Sequence, residues 1–147
     1  MTTYVFDTEP IIAWLHEEPG HERVDGLLEE ATTGESEGII ADANAAEIVY
    51  LNARLLAASR GDTKPITRDI AEGLYDITML ERAGIRIEDA SWEQAGRIKA
   101  PGGLSLGDAF AVAQACDDDA TLVVGGNDDF ENLPVSVDIL QFRDESA

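Results

Sequence analysis

The stretch "TYVFDTEPIIAWLHEE", Thr3 to Glu18, decides the fold. Its first four residues are β-prone and stop at Asp7. Pro10 follows where the first turn of a helix would stand, and its missing N–H costs nothing there. The apolar residues after it then run on helically until Pro19-Gly20 breaks the pattern. Outward from this unit the alternation repeats. "HERVDGLLEEAT" reads as a helix, "EGIIA" as a short buried strand, and "ANAAEIVYLNARLLAAS" as a helix with Asp42 as its N-cap. A further helix is expected from about Pro65 to Ala83, with Ile66, Ile70, Leu74, Ile77 and Leu80 on one face. "GIRIED" reads as a strand and "SWEQAGRIKA" as a helix. "SLGDAFAVAQAC" is helical, "ATLVVGG" a buried strand and "VSVDIL" a final edge strand. Strands alternating with helices imply βαβ units: an α/β, three-layer α/β/α sandwich around a mostly parallel sheet. In such sheets ligands bind beyond the carboxyl ends of the strands.

The 147 residues suffice for one domain with a full core, expected over 1–147, and are too few for two comfortable ones. No apolar run approaches the roughly 20 residues that span a bilayer. The N-terminus lacks a secretion signal, so a cytoplasmic protein with no membrane contact is expected. Cys116 has no cysteine to pair with and is expected as a buried thiol. His16 and His21 lack zinc-motif spacing. Trp14 and Trp92 lie in helical patterns and read as core or interface.

Charge is the unusual property. Thirty acidic residues face ten basic ones, a net charge of −20, and only Lys64 and Lys99 are lysines. The acids are interspersed with apolar periodicity, which argues against disorder. Adaptation to concentrated salt, as in the cytosol of a salt-accumulating archaeon, is the better reading. At about 1 M ionic strength the Debye length is only ~3 Å, and such self-repulsion is largely screened.

Four polar places fall at the carboxyl edge of the expected sheet, and each has an ordinary reading. Asp7 suits a turn or a cap. Glu47, sharing a helix face with Asn44 beside the expected core stripe of Ile48, Leu51 and Leu55, is either a solvated shoulder or an acid facing a cavity. Ser105 and Asp108 fit a capping box, although an acid in a helix's first turn is also ready to bind a cation. "GGNDDF", Gly125 to Phe130, could be a simple turn.

Taken in order, "YVFDTEPII", "ANAAEIVY", "SLGDAFAVAQA" and "TLVVGGNDDFENL" resemble the four motifs of PIN-domain proteins, nearest to the VapC-type toxins of toxin–antitoxin pairs. The resemblance covers almost the whole chain. It implies a ribonuclease dependent on Mg²⁺ or Mn²⁺, with Asp7, Glu47 and Asp108 as the first three acids. Asp7 and Asp108 would bind the metal directly. Glu47 would complete the pocket by holding a water or a second ion, or would act as base. Ser105, Asn44 and Asp129 would support them. At the fourth acid the chain departs from the pattern: Asn127 stands where Asp is usual, and Gly125 where Thr is common. Either Asn127 contributes its carbonyl oxygen or holds a metal-bound water, or a small loop shift brings Asp128 into the role, or the site works poorly or not at all. Arg97 and Lys99, just upstream of the Asp108 helix, are the candidates for meeting RNA phosphates, with a solvated helix end as the ordinary reading. The resemblance further implies a cognate antitoxin that occludes the acidic pocket, and a homodimer formed through helical faces. Two other functions compete: an inactive PIN-like module that binds RNA or protein, and RNA processing outside a toxin–antitoxin pair. A haloacid-dehalogenase-type phosphatase ranks below both. It wants Asp where Glu9 stands, and a lysine placed as neither Lys64 nor Lys99 is.

Overall fold

A computed structural model describes residues 1–126 and 128–143, residue 128 by its backbone. The elements in order are β1 (Thr2–Phe6), α1 (Thr8–Leu15), α2 (His21–Thr33), β2 (Ser36–Ala41), α3 (Asp42–Ser59) and α4 (Thr67–Ala83). There follow β3 (Arg86–Glu88), α5 (Trp92–Lys99), α6 (Leu106–Asp117), β4 (Thr121–Val124), a 3₁₀ turn (Asp128–Phe130) and β5 (Asp138–Gln141). Among the described residues the strands form one sheet in the order β3-β2-β1-β4-β5. Every pairing is parallel, with Val5 opposite Ile39 and Phe6 opposite Val123.

The pleat of β1 explains the three layers, since neighbouring side chains on a strand point to opposite faces. Val5, Ile39, Leu122 and Val124 pack towards α5 and α6, where Ala109, Ala111, Val112 and Ala113 let α6 lie close to the sheet. Phe6, Ile40 and Val123 point the other way, onto Ile11, Leu28, Ile48 and Ile77. Among the described residues no helix is long and apolar enough to cross a membrane.

Several local expectations shift. Helix α3 begins at Asp42 itself, with Ala41 at the N-cap and the Asp42 carboxylate accepting from Ala43 N–H. Its buried stripe is Asn44, Ile48, Asn52, Ala53 and Ala57, and Leu55 is exposed. On α4 only Ile77 and Leu80 of the expected face are buried. Ile70 and Leu74 are 44% and 55% exposed, because the start of α4 turns Asp69 and Gly73 inward instead. Asp69 takes a two-pronged ion pair from Arg60, at 2.5 and 2.8 Å, together with the N–H of Ile66. Cys116 is half-buried rather than buried, and Trp92 is 74% exposed rather than core.

Candidate metal centre

Asp7 is carried to the carboxyl edge by the middle strand. Its backbone N–H donates to Val123 O of β4 at 3.0 Å, which fastens it between two strands. It occupies the N-cap position of α1, yet its carboxylate makes no capping hydrogen bond. The cap reading therefore leaves the side chain unexplained. Asp7 is 5% exposed. Burial, then the charge of Asp108, and more weakly that of Glu47, push its pKa well above the usual carboxylate range.

Asp108 arrives from α6. Ser105 caps that helix by accepting the Asp108 N–H at 3.1 Å, but the reciprocal half of the capping box is not made. The Asp108 carboxylate is thus left for the cavity, which it lines together with Asp7 and where its charge raises the Asp7 pKa. Glu47, from the first turns of α3, is held at one oxygen. Its Oε1 accepts from Thr8 Oγ1 at 2.8 Å and from Asn44 Nδ2 at 3.2 Å. Asn44, fully buried, also points Nδ2 at Asp7 Oδ1, Thr8 Oγ1 and the Gly107 carbonyl, within 3.0–3.3 Å. Gly107 admits Glu47: a Cβ there would stand 1.9 Å from Glu47 Oε1.

A cavity of about 330 Å³ opens at this edge, lined by Asp7, Glu9, Asp108, Asp129 and Arg143 together with the Gly125-Gly126 and Phe130 segment. The structure thus gathers Asp7, Asp108 and Glu47, with Asn44 among them, Ser105 capping α6, and Asp129 exposed on the cavity's rim. As these side chains stand, no group of three or more His, Cys, Asp or Glu among the described residues is arranged to hold a metal ion; Glu47 is turned to Thr8 and Asn44, and Glu9 to Arg143. Asn127 and the Asp128 side chain lie outside the described residues. Arg97 and Lys99 do not line the cavity, and Lys99 Nζ is spent on the Leu104 carbonyl at 2.9 Å. Two lining residues escaped the sequence reading of the site. Glu9 carried a signal, its position one short step past Asp7. Arg143 carried none, because nothing in its neighbourhood marks where the chain after the last strand returns.

The donor chemistry suits a hard cation. All the side-chain donors are oxygens, with no thiol or imidazole among them, as Mg²⁺ and Mn²⁺ prefer. Asn44 Oδ1 is buried with no partner among the described residues, an unmet acceptor on the side chain whose Nδ2 reaches Asp7 and Glu47.

None of the curated protein sequences matches this chain. Among solved structures, it is similar to a chain in the crystal structure of VapBC2 from Rickettsia felis bound to a DNA fragment from their promoter. The TM-score there is 0.68 at 14% identity, over 95% of this chain and 98% of that one. It is similar also to a chain in DNA-bound VapBC from Salmonella typhimurium, with a TM-score of 0.67 at 16% identity, over 97% and 99%. These likenesses establish the fold. The sequence itself matches the family model described as PIN domain over residues 4–135, so that the strand leading into Asp7 and the helix whose first turn carries Asp108 are parts of one recognised pattern, and the chain belongs to the PIN-domain family.

Proposed function

We propose that this PIN-domain chain is a ribonuclease dependent on Mg²⁺ or Mn²⁺, the toxin of a toxin–antitoxin pair. One observation carries the reading: Asp7, buried, and Asp108, half-buried and a hundred residues further along the chain, line one cavity with Glu47 close by. Like charges so placed cost stability. A carboxylate pair at ~4 Å is unfavourable by about 1 kcal/mol in water and about 4 at an effective dielectric of 20. A divalent cation turns that repulsion into attraction. Asp7 and Asp108 would hold it, with Glu47 alongside. When bound, such an ion polarises the scissile phosphate and lowers the pKa of an attacking water.

The chain's own residues supply the rest. Thr8 and Asn44 fix Glu47 through Oε1, and among the described residues Oε2 is uncommitted. Oε2 takes the proton as the water oxygen joins phosphorus. The bond to the leaving ribose oxygen breaks, and that oxygen is protonated from solvent. Ser105 keeps the first turn of α6, and hence Asp108, in register. Asn127 and Asp128 are the candidates for a supporting fourth position.

The test is cleavage of RNA and DNA oligonucleotides at high salt, with Mg²⁺, Mn²⁺ or a chelator. Asp7→Asn and Asp108→Asn should abolish metal-dependent RNA cleavage, and unchanged cleavage overturns the assignment. A second reading, an inactive binding module, is favoured by the side chains as they stand, since among the described residues no three acids are arranged around one point. Mn²⁺ binding without cleavage would support it.

Two surfaces suit the partners this reading calls for. A groove of about 410 Å³ between α1, α2 and α4 has an apolar floor of Trp14, Leu28, Met79 and Leu80, with Asp25 and Asp76 among its polar lining residues. An antitoxin segment with apolar and basic residues matches it. The exposed Leu55, Ile70 and Leu74 on the α3–α4 pair suit a second copy of the chain.

A further inference from the structure

Glu9 lies two residues past Asp7, in the first turn of α1, and lines the acidic cavity with Asp7 and Asp108. It fits only because position 125 is glycine. A Cβ on Gly125 would stand 2.2 Å from Glu9 Cδ and 2.3 and 2.6 Å from its carboxylate oxygens, closer than real Cβ contacts come. Any side chain at 125 would therefore expel the Glu9 carboxylate from its place. The fold trades a loop side chain for an acid on the helix.

The acid is also matched with a cation. Arg143, just after β5, donates from Nη1 to Glu9 Oε1, from Nε to the Pro19 carbonyl at 3.1 Å, and from Nη2 to Glu18 Oε1 at 3.5 Å. Its guanidinium stacks 4.6 Å from the centre of the Phe142 ring. Among the described residues it is the one cation lining the cavity. The other contacts hold the guanidinium whether or not Glu9 stays with it. The Glu9 side chain is half exposed, so the pair adds little to stability. What it does is hold a negative charge at the cavity's edge.

We infer that Glu9 is a further metal-binding carboxylate of this cavity and that Arg143 is its resident competitor, so that the Glu9–Arg143 pair sets how tightly the site takes a divalent cation. This rests on the reading that Asp7 and Asp108 hold such a cation. Glu9 turns from the guanidinium to the ion when the ion is bound, and back when it leaves. The room left by Gly125 is what allows both positions.

The experiment is calorimetric titration of Mn²⁺ alone into the unsubstituted protein and into Glu9→Gln, Gly125→Ala, Arg143→Gln, the Glu9→Gln/Arg143→Gln pair and Asp7→Asn. Glu9→Gln should weaken Mn²⁺ binding about tenfold or more. Gly125→Ala should do the same while leaving both charges in the chain. Arg143→Gln should tighten it by about three- to fivefold, the size of a half-exposed ion pair removed, and should have no effect once Glu9 is Gln. Glu9→Gln binding as tightly as the unsubstituted protein, or Arg143→Gln acting equally with and without Glu9, overturns the inference. If Asp7→Asn abolishes binding while Glu9→Gln leaves it intact, the role of Glu9 alone falls. If the unsubstituted protein binds no Mn²⁺, the metal reading falls and takes this with it.

Discussion

Replacing Asp7 by Asn should make the metal-free protein more stable while removing its chemistry. Asp7 is 5% exposed, and both burial and the charge of Asp108 oppose its ionisation. The amide keeps the oxygen that accepts Asn44 Nδ2 at 3.3 Å, so the packing is preserved while a charge disappears. The relief is bounded by one carboxylate pair, about 1 kcal/mol if water screens it and about 4 if it behaves as at an effective dielectric of 20. For a chain of this size each kcal/mol moves the melting temperature by ~2–4 °C, giving a rise of about 2–4 °C at the weak limit and about 8–16 °C at the strong one. The pH dependence has a definite sign. A carboxyl whose folded pKa is raised binds its proton more tightly in the folded state, so folding loses stability as pH rises through that value. The gap between the two proteins should therefore be widest at neutral pH and above, and close as Asp7 protonates. Mn²⁺ should reverse the order: at ~100 times its Kd it stabilises the unsubstituted protein by about 2.7 kcal/mol and leaves Asp7→Asn where it was. Differential scanning calorimetry with and without Mn²⁺ measures both. A lower metal-free melting temperature for Asp7→Asn, or an equal gain from Mn²⁺, would refute the reasoning.

Three other outcomes are expected. Gly107→Ala should displace Glu47, whose Oε1 would lie 1.9 Å from the new Cβ, and cut kcat by about 10²-fold with the fold intact by circular dichroism. The Asp69 carboxyl is held down to about 2 by Arg60, below its ordinary 3.8, so its contribution is present above the unfolded value and lost as pH falls through that window. Asp69→Asn should accordingly lower the melting temperature at pH 7, with the deficit shrinking in acid. With a net charge of −20, the melting temperature should climb as KCl rises from ~0.1 to ~1 M, where the Debye length drops from about 10 to ~3 Å; a flat salt response would remove the case for a salt-adapted surface.

The layers of this fold were legible because each strand is short, apolar and followed by a helix of clear period. The face of α4 was not. Hydrophobic spacing selected Ile66, Ile70 and Leu74, but Arg60 reaches Asp69 and so draws a charge inward, leaving those residues outside. Leu55 failed as core for a related reason: α3 turns Asn44 and Asn52 inward, and Asn52 is satisfied by His16 at 2.6 Å. Polar pairs made across elements are invisible to periodicity along one element. The site divides the same way. Asp7, Glu47 and Asp108 were readable from motif spacing, and each had a local alternative that the geometry then weakened. Glu9 stood in view just past Asp7, but its place in the cavity depends on a missing side chain at position 125, and that of Arg143 on where β5 delivers the chain, which no local pattern encodes.

The position of β1 in the middle of the sheet bears on how the protein is born. Asp7 is made long before β4 (Thr121–Val124), whose Val123 carbonyl fastens it. Synthesis must run through four helices between α2 and β4 before the cavity has both walls. Under the reading proposed above, a half-translated chain lacks one wall of its cavity and gains the means to cut only once β4 has joined the sheet.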